Sequence, residues 1–352
     1  MKRLTVHTSH DYDILIGNGL LEEIGDAVSC TLGSSRLLCV VTDDNVAPLY
    51  LDRTVRSLTE AGHRVCTFVI PHGEESKNTD SLVSLLEFLA ERPLTRSDAL
   101  VALGGGVVGD LTGFAAAVYL RGIPYVQIPT TLLAAVDSSV GGKTAVDLRG
   151  GKNLAGAFHQ PSLVLCDPDT LSTLEPSVFA DGCAEVIKYG VINDLPLLSL
   201  VEQGVRDHLE EVILRCVQNK ASVVESDEFD RGCRQLLNLG HTVGHAIELC
   251  SHMSISHGSA VAMGMVILTR AAVSMGLCPV EDLSRLISLL RSVHLPVNCP
   301  FGVEALVCAA AADKKRSGDS LTLVVPHGLG DSRLVRIPVE ELPLWVQRGL
   351  AL

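Results

Sequence analysis

The chain has 352 residues, 47% of them hydrophobic and 20% charged, which suits two globular domains and is not the composition of a disordered chain. Its formal charge of -13 excludes a broad nucleic-acid surface, so an anionic ligand must be held by a local concentration of Lys and Arg. The eleven cysteines form no C-x-x-C pair, the N-terminus lacks a signal-peptide core, and no apolar stretch reaches membrane-spanning length, so a reducing cytoplasm with no membrane partner is expected.

Residues 1 to about 175 alternate short Val/Ile/Leu runs with helical periodicity, the pattern of a parallel sheet covered by helices. A buried strand over 36–42 ends on Asp43, Asp44 and Asn45, where a doubly wound sheet meets the ribose of a nucleotide; Asp43 equally suits a turn or helix cap. A second strand, 65–71, runs into the polar turn 72–77, and an amphipathic helix follows with Leu82, Leu85, Leu86 and Leu89 on its apolar face. A third, 99–103, delivers Gly104-Gly-Gly-Val-Val-Gly109-Asp110 and then a helix. Glycines at 104, 106 and 109 satisfy G-x-G-x-x-G between strand and helix, which turns backbone N–H groups towards a pyrophosphate. The acidic residue about 20 positions further on is missing, so nucleotide binding is expected without the common Rossmann fingerprint.

A strand over 125–129 ends on Thr130 and Thr131. The stretch 137–144 superficially resembles a phosphate-binding P-loop, but Asp137 stands where its first glycine belongs, which excludes the Walker pattern; Asp137 also suits a helix cap. Residues 150–153 read as a glycine-flanked turn carrying Lys152, and 162–167 as the last strand of this half. From about Leu174 the texture becomes helical, over 180–192, 195–225, 260–275 and 279–293, before a hairpin or edge strand at 320–326. The expected organisation is an α/β nucleotide-binding domain, 1–174, followed by a mainly α-helical metal-binding domain, 175–352.

The chemistry concentrates in the second half. His241, His245 and Glu248 are spaced four and three apart, so on a helix they share one face, a spacing that serves metal binding or proton transfer, and His257 follows just downstream. Gly240 and Gly244 cost helix stability by roughly 1 kcal/mol each against Ala, which is understandable if backbone must approach a ligand closely. Glu185 and Lys188 share a face in apolar surroundings and must be paired or liganded; a salt bridge within the helix competes with metal ligation. Arg121, Lys143, Lys152, Lys188, Lys220, Arg234 and Lys314 are candidate anion ligands, although from the residues alone a solvated surface is the default reading of Lys152, Lys220 and Lys314. A metal beside a nucleotide suggests oxidation of an alcohol, and the cations suggest an anionic substrate.

Seven segments in order, GGGVVGD at 104–110, RGIPYVQIPTTLLAAVDSSVGGKTAVD at 121–147, GKNLAGAFHQP at 151–161, CAEVIKYG at 183–190, RQLLNLGHTVGHAIE at 234–248, SHGSAVAMGM at 256–265 and DKK at 313–315, resemble the 3-dehydroquinate synthase family. The resemblance implies a dehydroquinate synthase-like fold with the active site in the cleft between its domains, and one divalent cation, zinc or cobalt, held by Glu185, His241 and His257. Spacing alone pairs His241 with His245; the resemblance makes His245 a proton-transfer residue. It places NAD+ contacts on Asp43, Asn45, Gly73, Glu74, Lys77, Gly106, Val107, Val108, Gly109, Asp110, Thr130, Thr131, Asp137, Lys143, Lys152 and Asn153, and on Thr170, Leu171, Ser172 and Thr173. Substrate contacts fall on Asp137, Lys143, Asn153, Lys188, Lys220, Arg234, Asn238, His245, His257 and Lys314, with Arg121 reaching phosphate from either subunit of a homodimer.

The implied reaction converts 3-deoxy-D-arabino-heptulosonate 7-phosphate to 3-dehydroquinate and phosphate, the second step of the shikimate pathway. The rivals are another sugar phosphate cyclase, such as a 2-deoxy-scyllo-inosose or 2-epi-5-epi-valiolone synthase, a metal-dependent polyol dehydrogenase, and a catalytically silent nucleotide-binding protein. Lys152-Asn153, Arg234 and Asn238 favour the carboxylate-bearing heptulosonate. Two positions depart from the family's pattern: Ser259 stands in place of Glu after His257-Gly258, and His72 in place of Asp before Gly73-Glu74.

Overall fold

Consecutive residues of the buried strand Leu37–Asp43 enter different cores: Leu37, Cys39 and Val41 join one apolar cluster, Leu38 and Val40 another. Such alternation is what a sheet covered on both faces demands. The strand belongs to the first of two units in the computed structural model, which describes residues 1–311 and 320–351. Unit 1 comprises Met1–Leu174 and Lys220–Phe229, and unit 2 comprises Glu175–Asn219 and Asp230–Leu352.

Unit 1 runs β1 (Lys2–Val6), β2 (Tyr12–Ile16), α1 (Ile24–Leu32), β3 (Leu37–Asp43), α2 (Asp52–Glu60), β4 (Arg64–Ile70), α3 (Thr79–Ala90), β5 (Ala99–Gly104), α4 (Gly106–Val118), β6 (Tyr125–Pro129), β7 (Lys143–Leu148), β8 (Gly151–Phe158) and β9 (Leu163–Cys166). The sheet order is β1-β2-β9-β6-β5-β3-β4, parallel throughout except for β1 against β2. Residues of α3 and α4 fill the cluster on one face, and residues of α1 and α2 the cluster on the other. Of the P-loop-like stretch 137–144 only Lys143 and Thr144 enter a strand: they open the antiparallel hairpin β7-β8, whose second strand begins at Gly151 within the stretch read as a turn, with Lys143 opposite Phe158. Alternation is hard to see there because β8 is exposed on both faces and carries Ala155, Gly156 and Ala157 in a row.

Unit 2 contains α5 (Pro176–Ile192), α6 (Leu195–Gln203), the start of α7 (Leu209–Ser226), α8 (His241–Cys250), α9 (His257–Ser274), α10 (Val280–Ser292), α11 (Val303–Ala311), the hairpin β10 (Ser320–Gly328) and β11 (Asp331–Pro338), and α12 (Leu342–Leu350). The helical run expected over 195–225 breaks at Gly204, whose φ of 110 no L side chain adopts readily. α5 and α9 are buried almost all round, as helices at the centre of a helical unit must be. None of the described helices is long and apolar enough to cross a membrane.

The glycines at the start of α8 serve close packing against α9, which accounts for their helix cost within the protein itself. Gly240 sits before the helix with φ 78, and a Cβ there would lie 2.7 Å from the Val261 carbonyl oxygen of α9. A Cβ on Gly264 of α9 would lie 2.1 Å from the Gly240 carbonyl oxygen. The two backbones therefore touch where His241 begins its helix. Gly264→Ala should destabilise the chain by about 3 kcal/mol through overpacking, read as a lowered urea midpoint; an unchanged midpoint would show that the helices can part at no cost.

Candidate active site and metal centre

In unit 1 the neighbouring strands β4, β3, β5 and β6 are parallel and end together. The chain leaves β3 towards β4 and β5 towards β6, so the ends of β3 and β5 border a topological switch point, the place where open α/β sheets take ligands. Asp43 and Asn45 lie at the end of β3, Gly106 to Asp110 open α4 after β5, Gly73 to Lys77 follow β4, and Thr130 and Thr131 follow β6. No side chain caps the N-terminus of α4 and no acidic residue lies in its first turn, an arrangement that favours an anion. A Cβ on Gly104 would meet Val108 at 2.6 Å and one on Gly109 would meet Gln127 at 2.7 Å, so the glycines let helix and strand approach. The Thr130 hydroxyl is buried with no hydrogen-bond partner among the described residues. An open helix N-terminus, a close-packed glycine turn and an orphaned hydroxyl at one sheet edge fit a dinucleotide.

Around this edge the polar residues are held by one another. Asp43 accepts the backbone N–H groups of Asn45 and Val46, both at 2.9 Å, which is the turn-capping role. His72, one of the two departures, donates its backbone N–H to Asp44 at 2.7 Å and sets Nδ1 2.8 Å from the same oxygen. The buried Lys77 ammonium lies 2.5 Å from Asp110. Burial opposes its charge, but Asp110 and Glu74 outweigh that and raise its pKa. The hairpin docks on the same turn: the Asp147 N–H donates to the Lys77 carbonyl at 2.8 Å, the Asn153 N–H to the Asp147 carboxylate at 2.7 Å, and Lys152 lies 3.7 Å from Glu74. Lys220 donates to the Asp137 carbonyl at 2.8 Å and pairs with its carboxylate. Lys143 and Arg121 are exposed, Arg121 at φ 69. Thr170 to Thr173 form a turn bound into the fold, with the Tyr50 hydroxyl donating to the Thr170 carbonyl at 3.0 Å and lying 2.7 Å from the Thr173 hydroxyl.

In unit 2 the cluster centres on Glu185, which α5 buries completely. Among the described residues neither carboxylate oxygen takes a hydrogen bond of ordinary geometry. Oε2 is the ion-pair partner of Lys188, itself 1% exposed, while Oε1 faces His241 Nε2 at 3.5 Å and His257 Nε2 at 3.4 Å. The salt bridge that rivalled metal ligation is thus present, on the other oxygen. Donor atoms bound at zinc distances with tetrahedral angles lie about 3.3 Å apart, close to the separations found. Burial disfavours charge on His257, yet Glu185 and Glu248 push its pKa up to about 10, so this pocket prefers an added positive charge. Two imidazoles and a buried carboxylate, aimed at one point in such a field, fit a divalent cation.

His245, one turn along α8, has its ring centroid 5.5 Å from His241 and 6.2 Å from His257; it lies outside the Glu185–His241–His257 set but forms a second candidate set with Glu248 and His257. Arg234 is 2% exposed and Asn238 half-buried, on the turn before α8. Lys314 lies outside the described residues. The second departure, Ser259, has its backbone N–H on Asp181 at 3.2 Å, and Ser256 donates to the same oxygen at 2.6 Å, so a carboxylate of α5 holds the start of α9. Sequence reasoning missed Asp181, whose only signal is its place four residues before Glu185. It also missed that His241 Nδ1 meets the Leu239 carbonyl at 3.0 Å.

The 3-dehydroquinate synthase N-terminal family profile matches residues 67–181, and the 3-dehydroquinate synthase C-terminal profile matches residues 182–316. The chain is 46% identical to a 3-dehydroquinate synthase from Pelobacter propionicus, across 97% of this chain and 98% of that one. It is similar in structure to a 2-epi-5-epi-valiolone synthase from Streptomyces hygroscopicus solved with NAD+ and Zn2+, at TM-score 0.88 and 27% identity over 99% of both chains. A 2-deoxy-scyllo-inosose synthase solved with carbaglucose-6-phosphate, NAD+ and Co2+ matches at TM-score 0.87 and 26% identity, over 97% of this chain and 100% of that one.

The geometry of the cluster predicts that zinc at about 100 times its Kd raises the melting temperature by roughly 5 °C, and that Glu185→Gln and His241→Ala each remove the rise. A rise that survives both substitutions would place the cation elsewhere.

Proposed function

The chain belongs to the 3-dehydroquinate synthase family, and we propose how its own residues divide the work of that reaction. The enzyme converts 3-deoxy-D-arabino-heptulosonate 7-phosphate to 3-dehydroquinate and inorganic phosphate, using NAD+ and one divalent cation. It is a phosphate-eliminating lyase of the shikimate pathway. When bound, the cation supplies acidity to the hydroxyl being oxidised, and NAD+ supplies a hydride acceptor that is restored within the same turnover.

The observation that carries the assignment is the buried Glu185 carboxylate, one oxygen on Lys188 and the other facing two Nε2 atoms. Glu185, His241 and His257 hold the cation. His245, beside them on α8, accepts and returns protons as the substrate carbon next to the transient ketone is deprotonated and phosphate leaves. Arg234, Asn238, Lys188, Lys143, Asn153 and Lys314 bind the carboxylate and hydroxyls of the substrate, and Arg121 grips its phosphate, where a guanidinium can contact two oxygens. Asp137 and Lys220, paired with each other, orient one another for substrate and nucleotide. The edge residues from Asp43 to Thr173 named above hold NAD+, with the pyrophosphate at the start of α4.

This assigns the nucleotide to the α/β domain, 1–174, and the cation and most substrate contacts to the helical domain, 175–352. The enzyme works as a homodimer in the cytoplasm, a reading supported by its family and by cysteines that are all free thiols among the described residues. With the heptulosonate phosphate, NAD+ and zinc, the purified protein should release phosphate without accumulating NADH, and His241→Ala or a chelator should lower the rate at least about a thousandfold. Stoichiometric NADH without phosphate would instead identify a polyol dehydrogenase.

A further inference from the structure

His257 uses Nε2 to face Glu185, which is open to a cation only in the tautomer that carries its proton on Nδ1. Nδ1 of His257 lies 3.5 Å from Glu248 Oε2. Glu248 is 4% exposed and stands three residues after His245 on the inner face of α8, so its carboxylate is held inside the unit rather than on its surface. His241 is arranged in the same way by a different group, its Nδ1 meeting the Leu239 carbonyl at 3.0 Å. Each imidazole that faces Glu185 thus has an acceptor behind it.

We infer that Glu248 is a positioning residue: it fixes the tautomer and ring orientation of His257, and so sets cation affinity without touching the cation. A carboxylate behind an imidazole also raises its basicity as a ligand. The inference rests on the assignment of Glu185, His241 and His257 to the cation and adds to it a charge that the three ligands alone do not provide. The short backbone contact between α8 and α9 at Gly240 and Gly264 keeps Glu248 and His257 on facing helices at this separation.

Two variants of similar volume divide the possible roles. Glu248→Gln keeps an acceptor for Nδ1–H and loses the charge; Glu248→Met loses both and preserves packing. The affinity of the full-length protein for Zn2+, measured by competition with a chromophoric chelator, should fall by about tenfold in E248Q and about a hundredfold in E248M. Co2+ substituted into each variant should show a visible d–d spectrum displaced from that of the unsubstituted protein, a signature that loss of packing alone does not produce. Wild-type Zn2+ affinity and an unchanged Co2+ spectrum in E248Q overturn the inference, and E248Q alone is sufficient for this if E248M does not fold. A starting protein that binds no Zn2+ overturns instead the ligand assignment beneath it, and the inference with it.

Discussion

A fully buried carboxylate is the constraint around which the helical unit is built. Removing an anion from water is costly unless another charge answers it, and Glu185 is answered twice, by the Lys188 ammonium on one oxygen and by two imidazole nitrogens opposite the other. The division leaves one oxygen facing a space of the size and polarity that a divalent cation fills. Replacing Glu185 by an apolar residue would remove both the carboxylate that the buried Lys188 ammonium faces and the oxygen opposite the two imidazoles. The stability of this centre and its chemistry therefore draw on the same interaction.

Bringing two histidines to that oxygen requires three helices to converge within contact distance, and glycine makes this feasible. Gly258, next to His257, lies so close to α5 that a Cβ would be 2.4 Å from Asp181 Cα. Asp181 then holds the start of α9 through Ser256 and Ser259, one turn before Glu185 on the same helix. On the other side, Gly240 and Gly264 let α8 lie on α9, which sets the rings of His241 and His257 5.3 Å apart. The α/β unit uses the same device at Gly104 and Gly109, where contact between strand and helix leaves the first turn of α4 uncapped.

The layered sheet is legible in the sequence because β3 and β5 are continuous apolar runs bounded by turn residues, and the glycine-rich turn sits between strand and helix as its mechanism requires. The candidate metal set is only half legible. Helical spacing joins His241, His245 and Glu248 on one face; Glu185 and His257 stand out singly, as an acid in apolar surroundings and a nearby imidazole, but they arrive from other helices and only the ordered resemblance groups them with His241. Spacing also cannot tell a ligand from the group behind a ligand, and so gives Glu248 no distinct role. The hairpin β7-β8 is obscured by small residues and by exposure on both faces. Gly240 and Gly244 leave the same mark in sequence whether backbone approaches a ligand or another helix, and only the structure reveals their approach to α9.

The central claim is that one cation is gripped by a carboxylate oxygen and two Nε2 atoms from three helices. Anomalous diffraction at the zinc edge from crystals of the zinc-loaded protein tests it directly. The account predicts a single strong peak about 2.0 to 2.2 Å from Glu185 Oε1, His241 Nε2 and His257 Nε2. A peak bound by other residues, or its absence from this cluster in zinc-loaded crystals, would contradict it.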